Sequence, residues 1–393
     1  MKPVRTAHFT LATALTVLVA AVAPTSAFAA GSTAHHASRT SRPVTTVQLF
    51  SGLSGPVSGS DQNIWTNILV PMFEKTHPGI KVNVTFSGSS DQAILDRIIA
   101  GVKAGQPSPY DIVDQSDIMV PLQTLHDGVR LTTKQIPLMN RVNPLLLKQT
   151  GYQALPYRGS TVVLAYNSSL VKHPPTTIPG LIAWIRQNPG KFTYCTPDSG
   201  GSGASFVQTI VNRFVAKKYE STMINGYKPA LEKIWQPGLK YLASLEPDIY
   251  RNGYYPNGNS AVLTLLANSS IAMAPVWSDM ATNSLRLHQL PPSIKLLQLT
   301  PSFDGGPADL LIPVNSPHKA AAEVFMNWLL TPRAQQTIVR EMGGYPGVEA
   351  KYTAPAVHRQ FAGILKTLPS MWWSSDFGHD LAKKWQAQVA AQK

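Results

Sequence analysis

The sequence predicts an α/β fold built from two mostly parallel sheets flanked by helices. Two observations carry that reading. Strand-like and helix-like stretches alternate from residue 44 onward, with three β–α steps before residue 117, and the same alternation resumes after residue 190. The strand-like stretches also end in short polar turns, where an open parallel sheet keeps its crevice.

Residues 44–50 are β-rich and end in Ser51-Gly52. Residues 61–76 place Ile64, Trp65, Ile68, Leu69, Met72 and Phe73 at helical spacing, with a kink expected at Pro71. Pro78-Gly79 stops that helix, and Ile80, Val82, Val84 and Phe86 alternate as in a strand. Ile94, Leu95, Ile98, Ile99 and Val102 form the apolar stripe of the next helix. Residues 110–113 form a third strand, closed by Asp114 to Asp117. Later come a strand at 191–195, a Gly/Ser loop, a helix at 205–215, strands at 271–276 and 309–314, and an amphipathic helix at 320–330.

The first 29 residues read as a cleaved secretory signal. Lys2 and Arg5 precede an uncharged apolar run, Pro24 breaks it, and Ala27-Phe28-Ala29 offers small residues for cleavage before Ala30. That run is shorter than the roughly 20 residues a bilayer span takes; an uncleaved anchor is the alternative. Residues 30–43 are rich in Ser, Thr and His and read as a disordered leader. The net charge is +13. Loss of Lys2 and Arg5 brings it to +11, and Arg39 and Arg42 in the leader leave +9 on the folded part. Those charges are scattered rather than gathered in a stripe, which argues against nucleic acid. Cys195 is the single cysteine, so no internal disulfide forms, and no lipid-anchoring cysteine follows Ala29. An exported protein with no stable membrane anchor is expected, placed in a periplasm.

The polar turns at strand ends supply the candidate binding residues: Ser51 and Gly52; Ser87, Ser89 and Ser90; Asp114 and Asp117; Ser199, Ser202 and Ser205; Trp277, Ser278 and Asp279. Several open helices, whose free N–H groups favour anionic or carbonyl groups. Ser and Asp also cap helices for purely structural reasons, but five such turns at equivalent places favour a ligand crevice. Asp114, Asp117, Asp279 and Asp304, near Trp277, Tyr157 and Tyr345, suit a cation; the Ser/Gly helix starts equally suit an anion or a sugar. Catalytic signals are weak. Gly200-Gly201-Ser202-Gly203-Ala204 departs from a nucleophile elbow at its last position, and no histidine stands in a recognisable setting. An exported hydrolase with Ser202 as nucleophile is the competing reading. No metal motif and no complete dinucleotide fingerprint is present, so neither metal nor cofactor is expected.

Several segments together resemble one family. Phe73-Glu74-Lys75-Thr76-His77-Pro78-Gly79-Ile80-Lys81-Val82 resembles an opening motif of bacterial extracellular solute-binding proteins of ABC importers. Pro156-Tyr157, with Val163 to Ser168, resembles the segment where their chain crosses between lobes, and Tyr166 joins the candidate binding residues there. Pro174 to Trp184, Ile271 to Ala274, and Ile312 to Gln335 are similar to further family segments, though the Gly usual before the second is replaced around Asn268-Ser269. The piece from Phe192 to Phe206 looks nearest to the YnjB-like branch. The resemblance implies a two-lobed type II periplasmic-binding-protein fold, with lobe I at 44–165 and 276–316 and lobe II at 166–275 and 317–393. It implies a monomer that performs no chemistry, captures a small polar solute between its lobes, and delivers it to ABC transporter permease subunits. A ligand-sensing role on the same scaffold is the other alternative.

Overall fold

A computed structural model describes residues 43–53, 63–87, 91–361 and 372–390. The expected signal, nearly all of the expected leader, and Ser89 and Ser90 lie outside the described residues. Among the described residues eight strands form: β1 Thr45–Ser51, β2 Ile80–Phe86, β3 Ile112–Asp114, β4 Ala154–Asn167, β5 Met273–Trp277, β6 Ile294–Leu297, β7 Gly305–Leu311 and β8 Tyr345–Pro346. Their order is β2-β1-β3-β7-β4-β5, with β6 and β8 also paired to β4. The β1–β2 and β1–β3 ladders are parallel, as the early β–α alternation requires.

β4 organises everything else. Its first half, Ala154 to Thr161, pairs with β7, and its second half, Val162 to Asn167, pairs with β5 and β6. Every β4 residue except Tyr166 is buried. Side chains alternate across a strand, and the packing follows that period. Leu155 and Tyr157 enter one core with Val47, Leu49, Trp65 and Phe73. Val162 and Leu164 enter a second core with Phe192, Phe206 and Trp235, while Val163 and Ala165 face a third cluster with Val262, Leu266 and Val276. Ile112 and Val113 likewise face opposite sides of the first sheet. Each sheet is thus covered on both faces, the α/β layering expected.

The ladders that β4 makes are all antiparallel, so the second half is less parallel than the alternation suggests. The expected strand at 191–195 reduces to parallel bridges from Phe192 to Ile249 and Met273. Once β4 has crossed into the second half, the neighbouring strands return beside it, and return strands pair antiparallel. Pro71 does not kink a long helix. A π-helical turn, Ile64–Leu69, leads into the Val70–Thr76 helix with Pro71 in its first turn, where its missing N–H costs nothing.

Core membership departs from the expected lobe boundaries in two places. Phe325, Trp328 and Leu329 of the Lys319–Leu329 helix pack in the first core with Phe73, not in the second. Val276, Ala281, Leu290 and Ile294 pack with β4's second half, and Leu299 and Phe303 join the second core. The reason is physical: periodicity shows that a helix buries one face, but not which sheet receives it.

The Gly201–Asn212 helix lies so close to residue 195 that a Cβ on Gly203 would stand 1.8 Å from the Cys195 carbonyl oxygen. Gly203→Ala should therefore push the helix away from the Cys195 backbone and cost about 1–3 kcal/mol or more. A urea denaturation midpoint equal to that of the parent would contradict this close approach.

Candidate functional site

A cleft of about 3000 Å³ opens over the crossing strands β4 and β7. Gly52 and Gln115 reach it from elements of the first core, and Ser199, Gly200, Gly201, Asn259 and Trp277 from elements around the second. Arg158, Ser160 and the stretch from Gly305 to Asp309 line it from the crossing strands themselves. Trp372, stacked on Trp277 with ring centroids 6.2 Å apart, adds to its wall.

Charge in the cleft is arranged around Arg158. Its Nη1 contacts Asp279 Oδ2 at 3.0 Å, with only 11% and 15% of the two side chains exposed. Its Nε donates to the Tyr157 hydroxyl at 3.3 Å. Tyr157 lies 3.5 Å from Asp114 Oδ2, which also accepts from Ser51 Oγ at 2.7 Å and from Trp65 Nε1 at 3.2 Å. A polar chain thus runs from the end of β3, through β4, to the helix Ser278–Arg286. Ser160 Oγ donates to Asp279 Oδ1 at 2.7 Å, and Ser278 Oγ accepts from the Thr161 N–H at 3.1 Å.

Three carboxyls near this chain are pushed upward by burial. Asp114 rises to about 6 despite the hydrogen bond from Ser51 and the charge of Arg158. Asp304, which accepts from Gln208 Nε2 at 2.9 Å, rises to about 7. Asp309 rises to about 8, because the Asp114 charge adds to burial and Arg158 offsets only part. Among the described residues, Asp309 Oδ1 is shut away from water and has no hydrogen-bond partner.

Of the expected binding residues, Gly52, Ser199, Trp277 and Asp279 line the cleft together. Ser87 stands behind that surface, accepting from Gln115 Nε2 at 3.0 Å. Ser51, Asp114, Tyr157, Ser278 and Tyr345 are buried beneath the floor. Ser202 and Ser205 are fully buried, and Ser205 Oγ accepts from the Asp304 N–H at 2.9 Å. Tyr166 packs against the second core, and the Asp117 side chain lies outside the described residues. Arg158, Ser160, Gln208, Asp309 and Trp372 were not expected. For Arg158 the signal was available: it is a lone charge in the largely apolar run of residues 154–167.

Ser202 is badly placed for nucleophilic attack. Its hydroxyl donates to Asn259 Oδ1 at 2.8 Å and lies 3.3 Å from Cys195 Sγ; no histidine is among its hydrogen-bond partners. Among the described residues, no group of three His, Cys, Asp or Glu is placed to hold a metal, and no helix is long and apolar enough to cross a membrane.

The family described as bacterial extracellular solute-binding protein matches residues 69–362. The chain belongs to that family. Protein YnjB of Escherichia coli (strain K12) is 24% identical over 185 residues, 46% of this chain and 46% of that protein. The chain's match thus spans about half the length of this curated relative. A crystal structure assigned as an extracellular solute-binding protein from Bordetella parapertussis superposes with a TM-score of 0.67 at 14% identity, covering 88% of this chain and 99% of that one. The spermidine/putrescine ABC transporter substrate-binding protein PotD from Streptococcus pneumoniae gives 0.61 at 14% identity, with the same coverages. These likenesses show the two-lobed fold.

Two measurements follow from the buried charges. Arg158→Met strands Asp279 without its cation and should cost about 3 kcal/mol; adding Asp279→Asn should restore part of it. A double variant no more stable than the single one would count against the pair. Asp114, Asp304 and Asp309 hold protons in the folded state that the unfolded chain loses near 3.8. Between about pH 4 and pH 8 the native state binds more protons, so stability falls as pH rises. The melting temperature should be higher at pH 5 than at pH 8, and Asp309→Asn should flatten the upper part of that slope.

Proposed function

We propose that this protein captures a small polar solute in the cleft between two lobes and delivers it to an ABC-type membrane permease. The observation that carries the reading is a single cleft bordered by both hydrophobic cores and floored by the strands that cross between them. Lobe I holds β1 to β3, the first half of β4, β7 and the segment 319–348. Lobe II holds the second half of β4, the segment 166–303, and 373–389. Both assignments follow the core memberships.

In this reading a solute that touches both walls favours the closed arrangement, and only its differential affinity for the two arrangements shifts their populations. The closed form then docks on the permease as a monomer. The solute leaves unaltered, in keeping with a family of binding proteins. In this reading the chain is exported to a periplasm after cleavage near Ala29 and Ala30.

Small-angle X-ray scattering combined with a thermal-shift screen tests this. A solute at 100 times its Kd should stabilise the protein by about 2.7 kcal/mol and shrink the radius of gyration. An unchanged envelope with solute tightly held, or chemical conversion of the bound compound, would overturn the proposal.

A further inference from the structure

The cleft is electrostatically opposite to the rest of the chain. The whole sequence carries a net charge of +13. Yet Asp91, Asp198, Asp279, Asp309 and Asp376 line the cleft against only Arg158 and Lys383, an excess of two negative charges once Asp309 holds its proton. A low-dielectric cleft lined by one sign of charge concentrates counter-ions of the other. Arg158 is already engaged, by Asp279 at 3.0 Å and Tyr157 at 3.3 Å. Asp309 Oδ1 is left with no donor among the described residues, and an unmet buried acceptor is costly.

The apolar half of the site lies on Trp277 and Trp372, stacked at an interplanar angle of 26°. Trp372 falls beyond the family match, which ends at residue 362. It is held in place from behind. The Trp373 N–H donates to Gln208 Oε1 at 3.0 Å, and Trp373, Phe377 and Trp385 are buried in the second core. The C-terminal segment therefore brings an anchored aromatic wall to the cleft.

Building on the solute-binding reading, we propose that the cleft takes an organic cation, with an N–H of the cation donating to Asp309 and its hydrocarbon or ring part lying on the Trp277–Trp372 pair. Aromatic faces attract such cations, and more strongly when water is excluded. Asp309 faces Asp114 from β3, Tyr157 and Arg158 from β4, and Asp279 through Arg158. In the empty cleft its carboxyl, pushed up to about 8, keeps its proton at neutral pH. An arriving cation displaces that proton, so one positive charge enters as one leaves. Affinity for the cation therefore rises between pH 6 and pH 8.

Titration calorimetry on the folded chain tests this with putrescine, spermidine and thiamine, against raffinose and sulfate as neutral and anionic probes. One of the cations should bind, with a buffer-dependent heat that reports proton release at pH 7. Asp309→Asn should weaken binding about tenfold or more and shrink the release, and Trp372→Ala should weaken it about threefold or more. The wild-type proton release and Trp372→Ala keep the test decisive if Asp309→Asn folds poorly. If raffinose or sulfate binds and compacts the protein while no cation does, the cation class falls and the solute-binding reading stands. If a cation binds with no proton release and is insensitive to both substitutions, the assignment to Asp309 and Trp372 is overturned. If none of the five binds, the cation proposal is overturned, and compaction by any other solute still upholds capture in the cleft.

Discussion

One strand belongs to both halves of this protein, and that sharing constrains the rest. β4 contributes Leu155 and Tyr157 to one core and Val162 and Leu164 to another without an intervening loop. Its backbone hydrogen bonds pass from β7 to β5 and β6 at the point where the cores change. The β4–β7 ladder shifts register between Pro156 and Arg158, so the strand is irregular just where it leaves the first core. The cleft lies over this junction because side chains there cannot fill both cores at once.

The junction also explains why charge sits so deep. Arg158 occupies a strand otherwise suited to apolar burial, and a guanidinium is a cation that tolerates such a place when its fork is satisfied. Asp279 and Tyr157 satisfy it from two different elements. This contact ties the helix that follows β5 to the strand that leaves the first sheet. A lysine ammonium is a compact point charge that lacks this preorganised planar fork.

Much of the fold was legible from local pattern. The alternation at Ile80, Val82, Val84 and Phe86 and the stripe at Ile94, Leu95 and Ile98 emerged as β2 and the Asp91–Ala104 helix. Long-range choices were not legible, as Phe325 and Trp328 show: their spacing reveals a buried face, whereas the sheet that receives it is set by where the whole chain turns back. The candidate site was half legible. Trp277 and Asp279 stood out because polar groups follow a strand, and both line the cleft. Asp309 escaped notice because it lies within the β7 strand rather than at its end, and Trp372 because nothing local says that a C-terminal segment folds back. Ser202 and Ser205 shared the same polar turn yet face inward, since a helix start presents only part of its circumference to the cleft.

The lone thiol has a practical consequence. Cys195 is wholly shielded, packed against Gly200, Ser202 and Gly203, and burial raises it further from its reactive thiolate form. Maleimide dyes will therefore ignore the native chain and attach only where an engineer adds a cysteine. Fluorophores placed on opposite rims would turn this protein into an optical reporter of whatever it holds, with no background labelling to subtract.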